Sequence, residues 1–340
     1  MIWVTWRQFR AQAIAAATAL VVLGVVLALT GPHLANLYDT SGLGTCTARG
    51  DCAAVTRNFL DAVTSDSLYP ALYFLTAVVL VLAPALIGVF WGAPLVTREM
   101  EAGSFRLAWN QSVTRTRWLT VKLTLIGAAA VAVTALLSLM ITWWASPIDR
   151  AGGFPVNLSQ LSRFSPLLFA TRGITPIGYA AFAVALGVAA GVLVHRTVPA
   201  MAITAAVFAV VQIIMPTGVR PHLITPAHAT VAIHPTLDTV EMASNGQMTV
   251  PANIPGAWVI SNQTITTSGQ VFVLPDVPAC QSGTQQACND WLAGQHLRQL
   301  VNYQPAGRYW VFQFYETVVF LALALALAAL SVWWISRRLS

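Results

Sequence analysis

The sequence predicts an all-α polytopic membrane protein with six transmembrane helices, cytoplasmic N and C termini, and a small disulfide-stapled extracellular domain between helices five and six. Three observations predict it. Apolar residues make up 56% of the chain and charged residues only 9%, against roughly 25% charge in soluble domains. The apolar residues gather into six runs, 12–31, 70–94, 122–145, 174–194, 198–216 and 311–335, near the roughly 20 residues that cross a hydrocarbon core as a helix. Basic residues fall on alternate sides of these runs, and that asymmetry sets the orientation.

With the N-terminus inside, Arg7, Arg10, Arg98, Arg106, Arg115, Arg117, Lys122, Arg196, Arg337 and Arg338 all lie in inner segments. These are ten of the eighteen basic residues, and nine of the twelve acidic residues then lie outside. The first run follows Arg7 and Arg10 as a secretory signal would. It is longer than the usual apolar core of such a signal and lacks a clean cleavage site, so it reads as an uncleaved helix. Ile2, Trp6 and Phe9 share one helical face ahead of it, which suits either a short helix lying in the inner interface or the start of the first span.

The outer loop 32–69 contains Cys46 and Cys52, and the long segment 217–310 contains Cys280 and Cys288. An oxidising outer compartment permits disulfides. Four cysteines allow three pairings, of which the local pair within each segment is expected. The spacings are wider than zinc sites favour, so no metal is expected. In runs two and four, Gly88 with Gly92 and Gly187 with Gly191 form small-xxx-small steps that let helix backbones approach. A second outer loop, 146–173, is punctuated by Pro147, Pro155 and Pro166, and only His195-Arg196-Thr197 separates runs four and five.

Segment 217–310 is rich in Pro, Thr, Gln and Asn. Its stretches TVAI, AWVISN and QVFVLP read as short strands between turns. His222, His228 and His234 repeat every six residues there, but Pro221, Pro226 and Pro235 interrupt any regular strand that would line them up as metal ligands. In the sixth run, Glu316 is the only carboxylate inside an apolar stretch. Intramembrane charge is expensive and usually functional; lining an outer pathway mouth and capping the helix at the headgroups are both open. One such group makes a poor relay for a proton-coupled carrier.

Catalytic signatures are missing. The single lysine, Lys122, sits between Val121 and Leu123, where no glycine-rich phosphate loop can use it. There is no nucleophile elbow and no paired-histidine zinc motif. The chain is expected not to be an enzyme and to bind no cofactor or nucleic acid.

The densest polar stretch, Thr97 to Lys122, reads TREMEAGSFRLAWNQSVTRTRWLTVK and carries five basic residues. It contains Arg98-Glu99-Met100-Glu101-Ala102-Gly103-Ser104-Phe105-Arg106-Leu107, then Ser112-Val113-Thr114-Arg115-Thr116-Arg117-Trp118-Leu119, then Lys122-Leu123. This resembles the first cytoplasmic loop of type-2 ATP-binding-cassette exporter permeases, in which an R-E-x-E-x-G-[ST] run leads into a helix and a basic residue opens the third span. The opening Trp3-Val4-Thr5-Trp6-Arg7-Gln8-Phe9-Arg10 and the Trp310-x-x-Gln313-x-x-Glu316 entry to the last span are similar to bacterial members.

The resemblance implies a domain plan: 1–216 for helices one to five with a coupling loop at 95–121, 217–310 for the extracellular domain, and 311–340 for helix six and a cytoplasmic tail. It implies a membrane-spanning permease of an exporter in the bacterial plasma membrane, driven by a separate ATPase subunit that holds ATP and Mg, and paired with a second copy of itself. The cargo would be amphipathic or lipophilic. Coupling would fall to Arg98, Glu99, Glu101, Gly103, Ser104, Phe105, Arg106, Arg115 and Arg117. Residues 98–110 would form a short helix with Glu99 and Glu101 in its first turn. Phe74, Phe90, Phe208, Gln212 and Glu316 are candidates for the pathway wall. The loop by itself also fits an ordinary inner loop whose arginines hold membrane-lipid phosphates, and the chain as a whole fits a membrane sensor or assembly protein with a ligand-binding outer domain.

Overall fold

The computed structural model describes residues 2–46, 52–103, 114–152, 154–156, 159–161, 163–233, 240–242, 247–250, 254, 256–281 and 283–338. Six helices are long and apolar enough to cross a membrane: Phe9–Thr40, Leu68–Glu101, Arg115–Arg150, Thr175–Val194, Thr197–His222 and Ala306–Arg337. They are called spans one to six below. Four of them run well beyond the apolar stretches that mark them in the sequence, because polar ends such as Arg98–Glu101 and Arg115–Lys122 continue the helix.

The chain divides into two compact units, Met1–Arg220 with Trp310–Ser340, and Pro221–Tyr309. In the first, the opening helix runs unbroken from Ile2 to Thr40, so no separate interfacial helix precedes span one. Phe9 is buried there, edge-on to Trp91 of span two at 4.7 Å. A disulfide joins Cys46 to Cys52, which opens the helix Cys52–Ser65. Phe59, Leu60 and Val63 of that helix are buried in one cluster with Leu34, Tyr73 and Trp144.

Span four is the most enclosed of the six. Its contact with span two explains why. A side chain at Gly187 would meet Gly88 O at 2.4 Å and Ala93 N at 2.6 Å; one at Gly92 would meet Val184 O at 2.8 Å. The glycine steps therefore bring two backbones together with nothing between them. Span two departs from α geometry at this crossing, where Gly88–Gly92 form a π-helical turn. Gln12 of span one donates to the carbonyl of Phe90 in that turn at 2.9 Å. Span five has a second π turn, Met215–Val219, ahead of Arg220.

The second unit is built on a three-stranded antiparallel sheet in the order Ala227–Ala232, Arg298–Gln304, Trp258–Ile265. Two of these strands overlap TVAI and AWVISN. The expected QVFVLP strand reduces to isolated bridges at Val271 and Val273. The central strand, RQLVNYQ, had no clear alternation of apolar residues to mark it. It is held by a buried polar row instead: Thr264 donates to Gln299 at 3.0 Å, and Gln299 to Asn262. The disulfide Cys280–Cys288 ties Pro278–Gln281 to the helix Gln285–Gly294, whose start is capped by Thr284. Cys288 lies in the core of this unit with Met248, Phe272, Leu292 and Leu297.

The backbone contact makes a direct prediction. Gly187→Ala should lower the thermal midpoint in detergent by the equivalent of about 1–3 kcal/mol of overpacking. Gly127→Ala, whose new methyl would meet nothing within 4 Å, should leave it unchanged or slightly raised.

Candidate functional site

The Arg98–Glu101 motif does not open a helix. It closes one. Span two ends with the helix Pro94–Glu101, and the chain leaves through Ala102 and Gly103, the latter in a left-handed conformation at φ 67°. The expected helix over 98–110, with Glu99 and Glu101 in its first turn, is corrected to this extent: both carboxylates sit in a last turn. Ser104, Phe105 and Arg106 lie outside the described residues.

A carboxylate at a helix C-terminus opposes the helix dipole, so each needs a partner, and each has one in another span. Glu99 pairs with Lys122 of span three and accepts from the indole Nε1 of Trp118 at 3.2 Å. The Lys122 ammonium also lies 4.7 Å from the Trp118 ring centroid, within cation–π range. Lys122 is therefore a buried residue in the third turn of the helix rather than a basic residue at its mouth.

Glu101 reaches span five. Its Oε1 accepts from Thr197 N at 2.7 Å and its Oε2 from the Thr197 hydroxyl at 2.8 Å. Thr97 lies 2.8 Å from that same hydroxyl. The first amides of a helix lack partners within it and carry the positive end of the dipole. Glu101 thus caps span five from a different helix. The connection it grips is short: His195 in the left-handed region at φ 59°, then extended Arg196.

Around these pairs the basic side chains turn outward. Arg98 and Arg117 are exposed and Arg115 is half-buried. Thr114 caps span three by accepting from Arg117 N at 3.3 Å. A cleft beside the motif is lined by Phe9, Gln12, Trp91, Leu95, Arg98 and Ile126, from spans one to three.

The opposite end of the bundle carries two further buried pairs that the sequence reading missed. Arg172 Nε donates to Asp149 at 3.0 Å, Tyr73 donates to the other Asp149 oxygen at 3.1 Å, and the guanidinium sits 5.1 Å from the Tyr73 ring. Arg220 holds Glu316 through two bonds, 2.8 and 3.0 Å, and Tyr179 donates to the same carboxylate. Arg220 and Glu316 are 1% and 0% exposed. The Arg220 guanidinium lies 3.9 Å over Phe169, and among the described residues its Nη1 has no hydrogen-bond partner. Arg172 and Arg220 had read as residues of outer loops.

Glu316, expected at a pathway mouth or a helix cap, is fully buried within the chain, and burial obliges it to pair. Gln313, one turn earlier, accepts from Ile174 N at 3.0 Å and Thr175 N at 2.9 Å and donates to Phe169 O at 3.1 Å. Of the other proposed wall residues, Phe208 is core, stacked on Phe182 at 6.4 Å. Phe74 is half-buried against the Tyr73 cluster, Gln212 is half-buried and Phe90 is half-exposed. No described contact brings these four together. Among the described residues no group of three or more His, Cys, Asp or Glu forms a metal site; His228 lies on the first strand of the sheet and His234 lies outside the described residues.

The family model for ABC-2 membrane transporter related proteins matches residues 17–220, more than half of the chain. No curated protein and no solved structure matches.

The Arg220–Glu316 pair can be tested directly. Breaking a buried ion pair on one side leaves an uncompensated charge and costs about 3–5 kcal/mol, whereas apolar replacement of both partners is often neutral. Glu316→Ala should therefore lower the thermal midpoint strongly, and Arg220→Met combined with Glu316→Leu should recover most of the loss.

Proposed function

The chain belongs to the ABC-2 membrane transporter related family, and from that we propose that it is the membrane-spanning permease subunit of an ATP-driven exporter. Six membrane-length helices and the family match make it a multi-pass membrane transporter permease. Permeases of this family normally pair with an ATPase subunit. On our reading that subunit is a separate chain holding ATP and Mg, and this chain has no hydrolytic site of its own.

The orientation follows from charge. Arg98 and Arg117 are exposed, as are Arg7 and Arg10 near the start of the opening helix, and exposed basic residues favour the cytoplasmic side. That puts both termini and the 102–114 loop inside. By connectivity the Pro221–Tyr309 unit is then outside, where its disulfide suits an oxidising compartment. The plasma membrane of a bacterium is the setting we infer.

The observation that carries the reading is the family match over the first five spans, which includes the loop between spans two and three. We assign ATPase docking to this region, through exposed Arg98, the turn at Gly103, the segment Ser104, Phe105 and Arg106, and Arg115 and Arg117. Two copies would form the working permease, with lipid around them. The export pathway would carry an amphipathic or lipophilic cargo.

Purification of the chain from its native host in mild detergent should bring down a nucleotide-hydrolysing subunit in stoichiometric amount, identified by mass spectrometry. Alanine at Phe105, Arg106, Arg115 and Arg117 together should release that subunit while leaving the chain folded. Recovery of the intact dimer with no ATPase subunit would overturn the proposal.

A further inference from the structure

The motif's two glutamates have their oxygens engaged within the bundle. The Glu99 side chain is only 14% exposed and is held by Lys122 and Trp118. Glu101 is exposed, and each of its oxygens accepts one bond from Thr197. A contact with an ATPase subunit that pulled these carboxylates away would leave Lys122 buried without a counter-charge and the start of span five without a cap.

We propose that Glu99 and Glu101 are positioning residues that carry movement of the 102–114 loop into spans three and five, and that they do not contact the ATPase subunit. This rests on the permease reading above. The geometry of span two supports it. Below the π turn Gly88–Gly92, the helix Pro94–Glu101 forms an arm of eight residues, about 12 Å long at the helical rise. The π turn and Pro94 are places where a helix bends. From this arm Thr97 packs on span four at Gly191, where an added side chain would meet it at 3.1 Å.

At its tip the arm holds two spans at once. Glu101 binds the first amide of span five through a charge-assisted hydrogen bond, a stronger class than a neutral one. Only His195 and Arg196 separate that amide from the end of span four, so the connection has little slack to absorb a pull. Glu99 holds span three through a buried ion pair. Displacing the loop therefore displaces both, whereas exposed Arg98 and Arg117 lie outside these bonds.

The experiment uses the purified complex of this chain with its ATPase subunit in lipid nanodiscs, trapped with ATP and orthovanadate. Hydrogen exchange is read at the amides of residues 103–114 and 197–201. In the unsubstituted complex both segments should change on trapping, by about fivefold or more in rate if local opening is altered. Glu101→Ala should keep the ATPase subunit in full stoichiometry and keep the response at 103–114, while the response at 197–201 falls below about twofold. Glu101→Gln, which can still accept from the Thr197 amide, should restore it in part. Thr197→Ala removes the hydroxyl arm from the other side and should weaken the same response, which keeps the test open if Glu101→Ala does not fold.

Loss of the ATPase subunit on Glu101→Ala or Glu99→Gln would make these residues docking contacts and overturn the inference. An unaltered response at 197–201 would overturn it as well. A chain without substitutions that brings down no ATPase subunit would remove the permease reading and this inference together, an outcome distinct from the other two.

Discussion

The loop end of the bundle depends on spans two and four touching backbone to backbone. With glycine at 88, 92, 187 and 191, the helices meet at a separation that admits no side chain. Thr97 is thereby brought to the start of span five, and Glu101, one turn further, reaches the Thr197 amide. Were the helices a methyl group further apart, Glu101 would miss its hydrogen bonds, and the two-residue link between spans four and five would lose its anchor. Close packing here sets the position of a polar contact, because hydrogen bonds tolerate only a few tenths of an ångström.

Charge follows the same rule throughout the first unit. Lys122, Arg172 and Arg220 are each buried, and each is matched by a carboxylate from another element: Glu99, Asp149 and Glu316. Each pair also touches a tryptophan or tyrosine, Trp118, Tyr73 or Tyr179. Desolvation makes an unpaired charge in such a place prohibitive. A pair that can form with only one partner also selects one arrangement of the helices, because alternatives would strand a charge. The two π turns fit this logic. One lies at the crossing that brings Glu99 and Glu101 to their partners; the other immediately precedes Arg220. An inserted residue rotates the helix beyond it and so re-aims the side chains that follow.

The motif that drew attention in the sequence divides by chemistry. Arg98 and Arg117 are exposed, while its carboxylates are bonded to spans three and five. An acidic and basic cluster in a short loop reads in one dimension as a single binding surface. In three dimensions the signs separate, since the carboxylates lie on the last turn of a helix whose neighbours supply an ammonium, an indole and a free helix N-terminus. The cluster thus joins an outer surface to the interior of the bundle through one eight-residue helix.

The placement of apolar residues along the chain determined that it carries six helices long enough to cross a membrane, since a helix satisfies every backbone group within one segment in lipid. Local spacing pointed to both disulfides, and the glycine steps marked helices that pack closely. The Arg98–Lys122 stretch and the Gln313–Glu316 entry were legible as important, because polar groups flanking or interrupting apolar runs stand out. Their roles were not legible. Arg172 and Arg220 looked like loop residues, and Glu316 like a mouth or a cap. The partners lie on other elements, 23 residues away for Arg172 and Asp149 and 96 for Arg220 and Glu316. A residue's type and neighbours in sequence state what bonds it needs. Only the tertiary structure decides which distant group supplies them, because that choice depends on where close packing places two helices.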